Sequence, residues 1–321
     1  MWLTVYPPGD QWGLLYARLL SDPGFHRTIQ TPRHGKSLLK PYTSTWSTDH
    51  WLLGVVASSK EDTMLFADAV YVGIDPTAGV RPMYYAALDA DLRLLALDKG
   101  NMEDVLAFTG GLEAAVVGID APQSPNKGLM RQMEVRRRFN LQPRGQTWGN
   151  WRVCEYELRR RNIRLYNTPD RKKTAPGWVR TGFTLYQRLQ SMGFNFFVAG
   201  EDSEQQAIIE VQPHASFAVL LERRPFLKRN LEGRMQRQLV LFLEGLALPN
   251  PLHALEEITR HHLLTGHLPL DALYEHDQLD ALVAAYTAYL VGVEPERVVQ
   301  VGDQEEGLIT LPTMRLKDFY P

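Results

Sequence analysis

Sulfur and long apolar runs are what this sequence has least of. One cysteine, Cys154, among 321 residues excludes an intrachain disulfide and any cysteine-rich zinc module; it suits a reducing compartment, so a cytoplasmic protein is expected. No window approaches the roughly 18 uninterrupted apolar residues of a membrane span. The start, MWLTVYPPGDQWG, has no basic patch ahead of an apolar stretch, so neither secretion nor a membrane partner is expected. What is present, 44% hydrophobic and 22% charged residues, is ordinary for a globular chain long enough to bury a full core.

The small net charge of −2 hides a segregation along the chain. Residues 131–180 carry twelve Arg and two Lys against three Glu and one Asp, and residues 222–237 carry six positive against two negative charges. Such clusters suit a phosphate-binding face, and they also suit a solvated helix surface. Arg131, Arg152, Arg160 and Lys172 in the first stretch, and Lys228, Arg234 and Arg237 in the second, are the candidate contacts to a nucleic-acid backbone.

The first 65 residues differ from the rest. They hold Trp2, Trp12, Trp46 and Trp51, a polar stretch from His26 to His50, and little periodicity. They are expected to be an N-terminal appendage of unknown role, or a start placed too early if translation begins near Met64.

From Ala69 the pattern sharpens. Ala69–Asp75 is an apolar run of strand formers ending in Asp, with a Gly/Pro-rich turn behind it. Met83–Leu88 and Leu92–Leu97 continue as a meander, Asn101–Thr109 is a helix capped by Asn101, and Ala114–Asp120 is a further apolar strand ending in Asp. Helices are expected over 153–161, 184–192, 231–246 and 277–291, and a fifth strand over 207–212. VYVGID and VVGID thus each place a carboxylate at a strand's carboxyl end, where open α/β sheets hold ligands.

Two-metal hydrolysis of a phosphodiester needs carboxylates converging from separate elements, and hard Mg²⁺ or Mn²⁺ takes oxygen ligands. Asp75, Asp120 and Asp280 can supply them, with Asp277 and Glu210 as further candidates. Each also has a structural role open to it. Asp277 followed by Asp280 fits a helix N-cap with an acid in the first turn, and Glu210 could pair with an arginine. His214 could orient a phosphate, Cys154 reads as packing, and the nine histidines show no spacing typical of zinc.

GIDPTAG, VGIDAPQSPN, WRVCEYELRRRNIRLY, IIEVQPHASF, LEGRMQRQ and HDQLDALVAAYTA occur in an order that resembles the predicted RNase H-like nucleases of the domain-of-unknown-function family four-two-nine. The tail VGDQEEGLITLP is similar too, and the likeness spans about Ala69–Pro312. It implies an α/β RNase H-like fold over residues 66–321: a five-stranded mixed sheet of order 3-2-1-4-5 flanked by helices, with a basic insertion at about 122–177. It also implies Asp75, Asp120 and Asp280 as metal ligands, Asp277 as their companion and Glu210 as the family's glutamate before proline. Two Mg²⁺ or Mn²⁺ ions and a DNA or RNA substrate would follow.

Two other classes remain in view. GIDPTAG also resembles the phosphate-binding first hairpin of actin-like ATPases and sugar kinases, although no second glycine-rich phosphate loop is found. A nucleic-acid-binding protein without turnover would keep the same acids as helix caps.

Overall fold

A computed structural model describes residues 69–321 apart from 79–80, 142–146, 201–205 and 267–269. The expected appendage lies outside the described residues. In chain order come β1 (Val70–Asp75), β2 (Met83–Leu88), β3 (Leu94–Gly100), α1 (Met102–Gly110) and β4 (Ala115–Ile119). A long segment with the short helices α2 (Met133–Arg138) and α3 (Val153–Arg160) leads to α4 (Gly177–Ser191), β5 (Asn195–Phe196), β6 (Gln206–Val211) and α5 (Pro213–Leu220). Then follow α6 (Leu231–Leu243), α7 (Pro251–Leu264), α8 (His276–Val293) and the hairpin β7 (Val299–Asp303) with β8 (Gly307–Leu311).

These strands form one mixed sheet of eight, in the order β3-β2-β1-β4-β6-β8-β7, with β5 paired to β6 beside that path. The five-stranded, 3-2-1-4-5 sheet of an RNase H-like fold is therefore not what the chain builds. The difference has a local cause. VQVGD and GLITL are short alternating runs joined by a tight turn, and they close as an antiparallel hairpin whose β8 lies parallel to β6. Asn195–Phe196 adds a two-residue strand too short to register as a pattern.

β1 and β4 are central, parallel and buried along their whole length, as continuous apolar runs in a doubly covered sheet should be. Alternation sorts their side chains. Val70, Val72 and Ile74, with Ala115, Val117 and Ile119, pack in a core with α1 and α4; Tyr71 and Val116 belong to the opposite core with α5, α6 and α8. By the period of two, Gly73 and Asp75 share the face of Tyr71, and Gly118 and Asp120 share the face of Val116.

That parity gives the two glycines a task. A Cβ on Gly73 would sit 2.0 Å from the Ala281 carbonyl oxygen and 2.2 Å from the Ala285 nitrogen, and one on Gly118 would sit 2.6 Å from the Ala284 oxygen. The backbone of α8 therefore lies directly on the sheet, admitted by glycine below and by buried alanines at 281, 284 and 285 above. The N-capping of α1 by Asn101 is as expected, its Oδ1 accepting from the Glu103 and Asp104 amides at 2.8 and 3.2 Å.

Gly73→Ala is expected to cost about 3 kcal/mol or more, because the clash is with backbone that has nowhere to retreat. Urea unfolding of the variant measures it, and a loss below about 0.5 kcal/mol would mean that α8 slides freely on the sheet.

Candidate metal centre

The close seating of α8 brings its first turn over the carboxyl ends of β1 and β4. Asp75 ends β1, and Asp120 follows β4 with its amide donating to the Ile74 carbonyl at 2.9 Å. Asp280 enters from one turn inside α8. Single carboxylate oxygens of Asp75, Asp120 and Asp280 lie within 4.8 Å of one another. Asp75 is 8% exposed and Asp280 2%.

A second set shares Asp280. One ligand atom each from His276, Asp277 and Asp280 also falls within 4.8 Å of the others. His276 Nδ1 is buried and lies 2.5 Å from Asp277 Oδ1. Asp277 is not the helix cap: Glu275 holds that position, its amide donating to Gln278 Oε1 at 2.8 Å. Sequence reasoning missed His276. Its signal was the four-residue spacing from Asp280, which puts both on one helix face.

Burial, then the neighbouring carboxylates Asp120, Asp280 and Asp277, push the Asp75 carboxyl well above its ordinary range. Burial and Asp280 do the same to Asp120. Asp280 is raised by burial although the Lys228 ammonium opposes the shift. Lys228 Nζ donates to Asp280 Oδ2 at 2.5 Å. Burial alone would lower the Lys228 ammonium, but Asp280, with Asp120 and Asp75 behind it, holds it above its usual value. Three converging carboxylates thus meet Lys228, itself half-exposed, with Arg237 acting on Asp280 as well. An all-oxygen donor set with surplus negative charge fits a hard divalent ion, and the imidazole of the second set fits Mn²⁺ as well.

The other predicted residues divide. Glu210 pairs with Ile119 across the sheet, beside Asp120. Its carboxylate is occupied: Arg152 grips it with both terminal nitrogens, and the Gln123 amide donates to it at 2.8 Å. Arg152, 1% exposed, also donates to Glu155 at 2.9 Å, and Glu306 accepts from the Lys127 and Val153 amides at 2.7 and 2.9 Å. Arg152 and Glu210 therefore tie the basic segment to the sheet. Arg237, 2% exposed, donates to the Phe226 and Gly233 carbonyls and stacks over Phe217, and Arg234 holds the Leu273 and Tyr274 carbonyls. Arg234 thus supports the chain leading into α8, and Arg237 the segment leading into α6. Arg131, Arg160 and Lys172 are exposed. His214 is pushed down to about 4 by burial and by Arg237, Lys228 and Arg224, so it is neutral at neutral pH.

The molecule is thus an α/β protein with two Asp/His clusters, joined at Asp280, either of which could hold a divalent cation. A family model described as protein of unknown function (DUF429) matches residues 73–306, nearly three quarters of the chain, and the protein belongs to that family. No curated protein and no solved structure matches it. No helix among the described residues is long and apolar enough to cross a membrane.

Two outcomes follow from the charges. Asp75, Asp120 and Asp280 keep their protons to higher pH in the folded chain than in the unfolded one, so the folded state binds more protons. The metal-free protein therefore loses stability as pH rises from the ordinary carboxylate range through the raised values. Asp120→Asn flattens that decline, and Mn²⁺ at about a hundred times its Kd adds about 2.7 kcal/mol, more at neutral than at acid pH; thermal melts in chelator and in Mn²⁺ measure both. Separately, Arg152→Ala strands buried carboxylates and costs about 3–5 kcal/mol, while pairing Arg152→Met with Glu210→Gln recovers part of it. Equal losses in the single and double variants would show that the ion pair is not what Arg152 contributes.

Proposed function

We propose that this protein is a metal-dependent nuclease, a hydrolase of phosphodiester bonds in DNA or RNA, working in the cytoplasm with two Mg²⁺ or Mn²⁺ ions. The observation that carries the reading is the convergence of Asp75, Asp120 and Asp280 at the carboxyl ends of two central strands under one helix. Bound divalent ions would supply the Lewis acidity that activates water for attack on phosphorus and steadies charge on the departing oxygen.

The chain's own groups have separable parts. Asp75, Asp120 and Asp280 would hold one ion, and His276 and Asp277 would join Asp280 around the other. Lys228, half-exposed at the edge of the cluster, is placed to exchange its carboxylate for a phosphate oxygen. His214, neutral beside this cation, can hydrogen-bond but brings no positive charge. Hydrolysis forms a bond from phosphorus to the water oxygen and breaks the one to the sugar oxygen, which leaves with a proton. The single buried thiol, Cys154, is the support for a reducing compartment.

Incubation with labelled DNA and RNA in Mg²⁺ or Mn²⁺ is expected to yield cleaved products. Asp75→Asn, which removes one ligand oxygen at constant size, should lower the rate by about 10²-fold or more with the fold intact, the equivalent of several kcal/mol at the transition state. Cleavage that survives both chelation and Asp75→Asn would sink the proposal.

A further inference from the structure

A cleft opens beside Asp120. Its walls include Asp120, Pro122, Leu165, Tyr166, Trp178 and Gln212. Tyr166 and Trp178 form an edge-to-face pair, ring centroids 5.7 Å apart and planes at 68°. Trp178 is half-buried in the first turn of α4, held against Val179 and Phe183, whereas Tyr166 is 43% exposed. The tryptophan backs the tyrosine, and the tyrosine, its ring partly open to solvent, lines the same cleft as Asp120.

The chain segment that holds this pair is cationic. Arg164, Arg171, Lys172, Lys173 and Arg180 are exposed, and none makes an ion pair among the described residues. Asp170 is the only acid between residues 164 and 180.

We infer that Tyr166, backed by Trp178, is a base-stacking subsite for single-stranded nucleic acid, with the Arg164–Arg180 segment taking the phosphates on either side. This rests on the nuclease reading and narrows its substrate to strands with unpaired bases. A base within a duplex keeps both faces stacked on its neighbours, so only an unpaired one can lie on the Tyr166 ring. Because every base has a π-face, the subsite selects for strandedness and tolerates sequence.

The test uses the full chain in chelator, so that binding is read without cleavage, with a fluorescein-labelled 20-nucleotide oligo(dT) and a labelled duplex of the same length. Fluorescence anisotropy is expected to show tighter binding of the single strand. Tyr166→Ala should weaken that binding about 5- to 100-fold while leaving duplex binding nearly unchanged, and Tyr166→Trp should restore it. Circular dichroism checks that the variants fold, which the exposure of Tyr166 favours. If Tyr166→Ala binds single strands like the wild type, or if the duplex binds equally well, stacking is overturned while metal-dependent cleavage in the parallel assay still upholds the nuclease. If no nucleic acid binds and none is cleaved, the nuclease reading fails and takes the subsite with it.

Discussion

The backbone-to-backbone seating of α8 on Gly73 and Gly118 is the constraint on which the rest of this structure depends. A helix normally rides on side chains, which hold its axis about 10 Å from a sheet. Here both strands offer a hydrogen where the helix crosses, and the helix answers with Ala281, Ala284 and Ala285. The lowered helix carries Asp280 down to the level of two strand-end carboxylates that would otherwise lie beyond its reach. The glycine two residues before each aspartate is thus part of the acid cluster's geometry, although it contributes no ligand.

The molecule buries charge in two opposite ways a few residues apart. Around Arg152 the carboxylates are supplied with hydrogen-bond donors: one guanidinium meets Glu155 and Glu210, and Glu306 accepts from backbone amides. That arrangement fixes the basic segment firmly and leaves nothing over for a ligand. Around Asp280, three carboxylates accept one side-chain hydrogen bond among the described residues, from the half-exposed Lys228. Burial is tolerable there because protons can neutralise the acids. Carboxylates supplied with donors build the scaffold, and carboxylates short of them mark where a cation could sit.

Much of this could be read from the sequence, for reasons specific to particular residues. β1 and β4 announced themselves because an apolar run ending in Asp is both a strand signal and a ligand signal, and α8 because HDQLDALVAAYTA sets a polar first turn ahead of a buried body. α5 gave no sign: PHASFAVL is buried on nearly all sides and so has no polar stripe to set its period. The hairpin of β7 and β8 was visible as letters but not as strands, and with the two-residue β5 it turned an expected five-stranded sheet into one of eight. Arg152 and Arg237 are buried, and a sum of charge over sequence cannot distinguish a guanidinium on the surface from one inside. His276 escaped notice because its partner lies four residues on, across a helical turn.

Asp75 and Asp280 stand some 200 residues apart in the chain. Long-range contacts of this kind form late, and a chain leaving the ribosome makes its early segments first. β1 and β4 can pair long before α8 has been synthesised, but until then two carboxylates at their ends have no third partner and no helix to bury them. The nascent chain consequently carries an incomplete acid cluster for most of its own synthesis. The three carboxylates come together only after the ribosome has delivered most of the sequence.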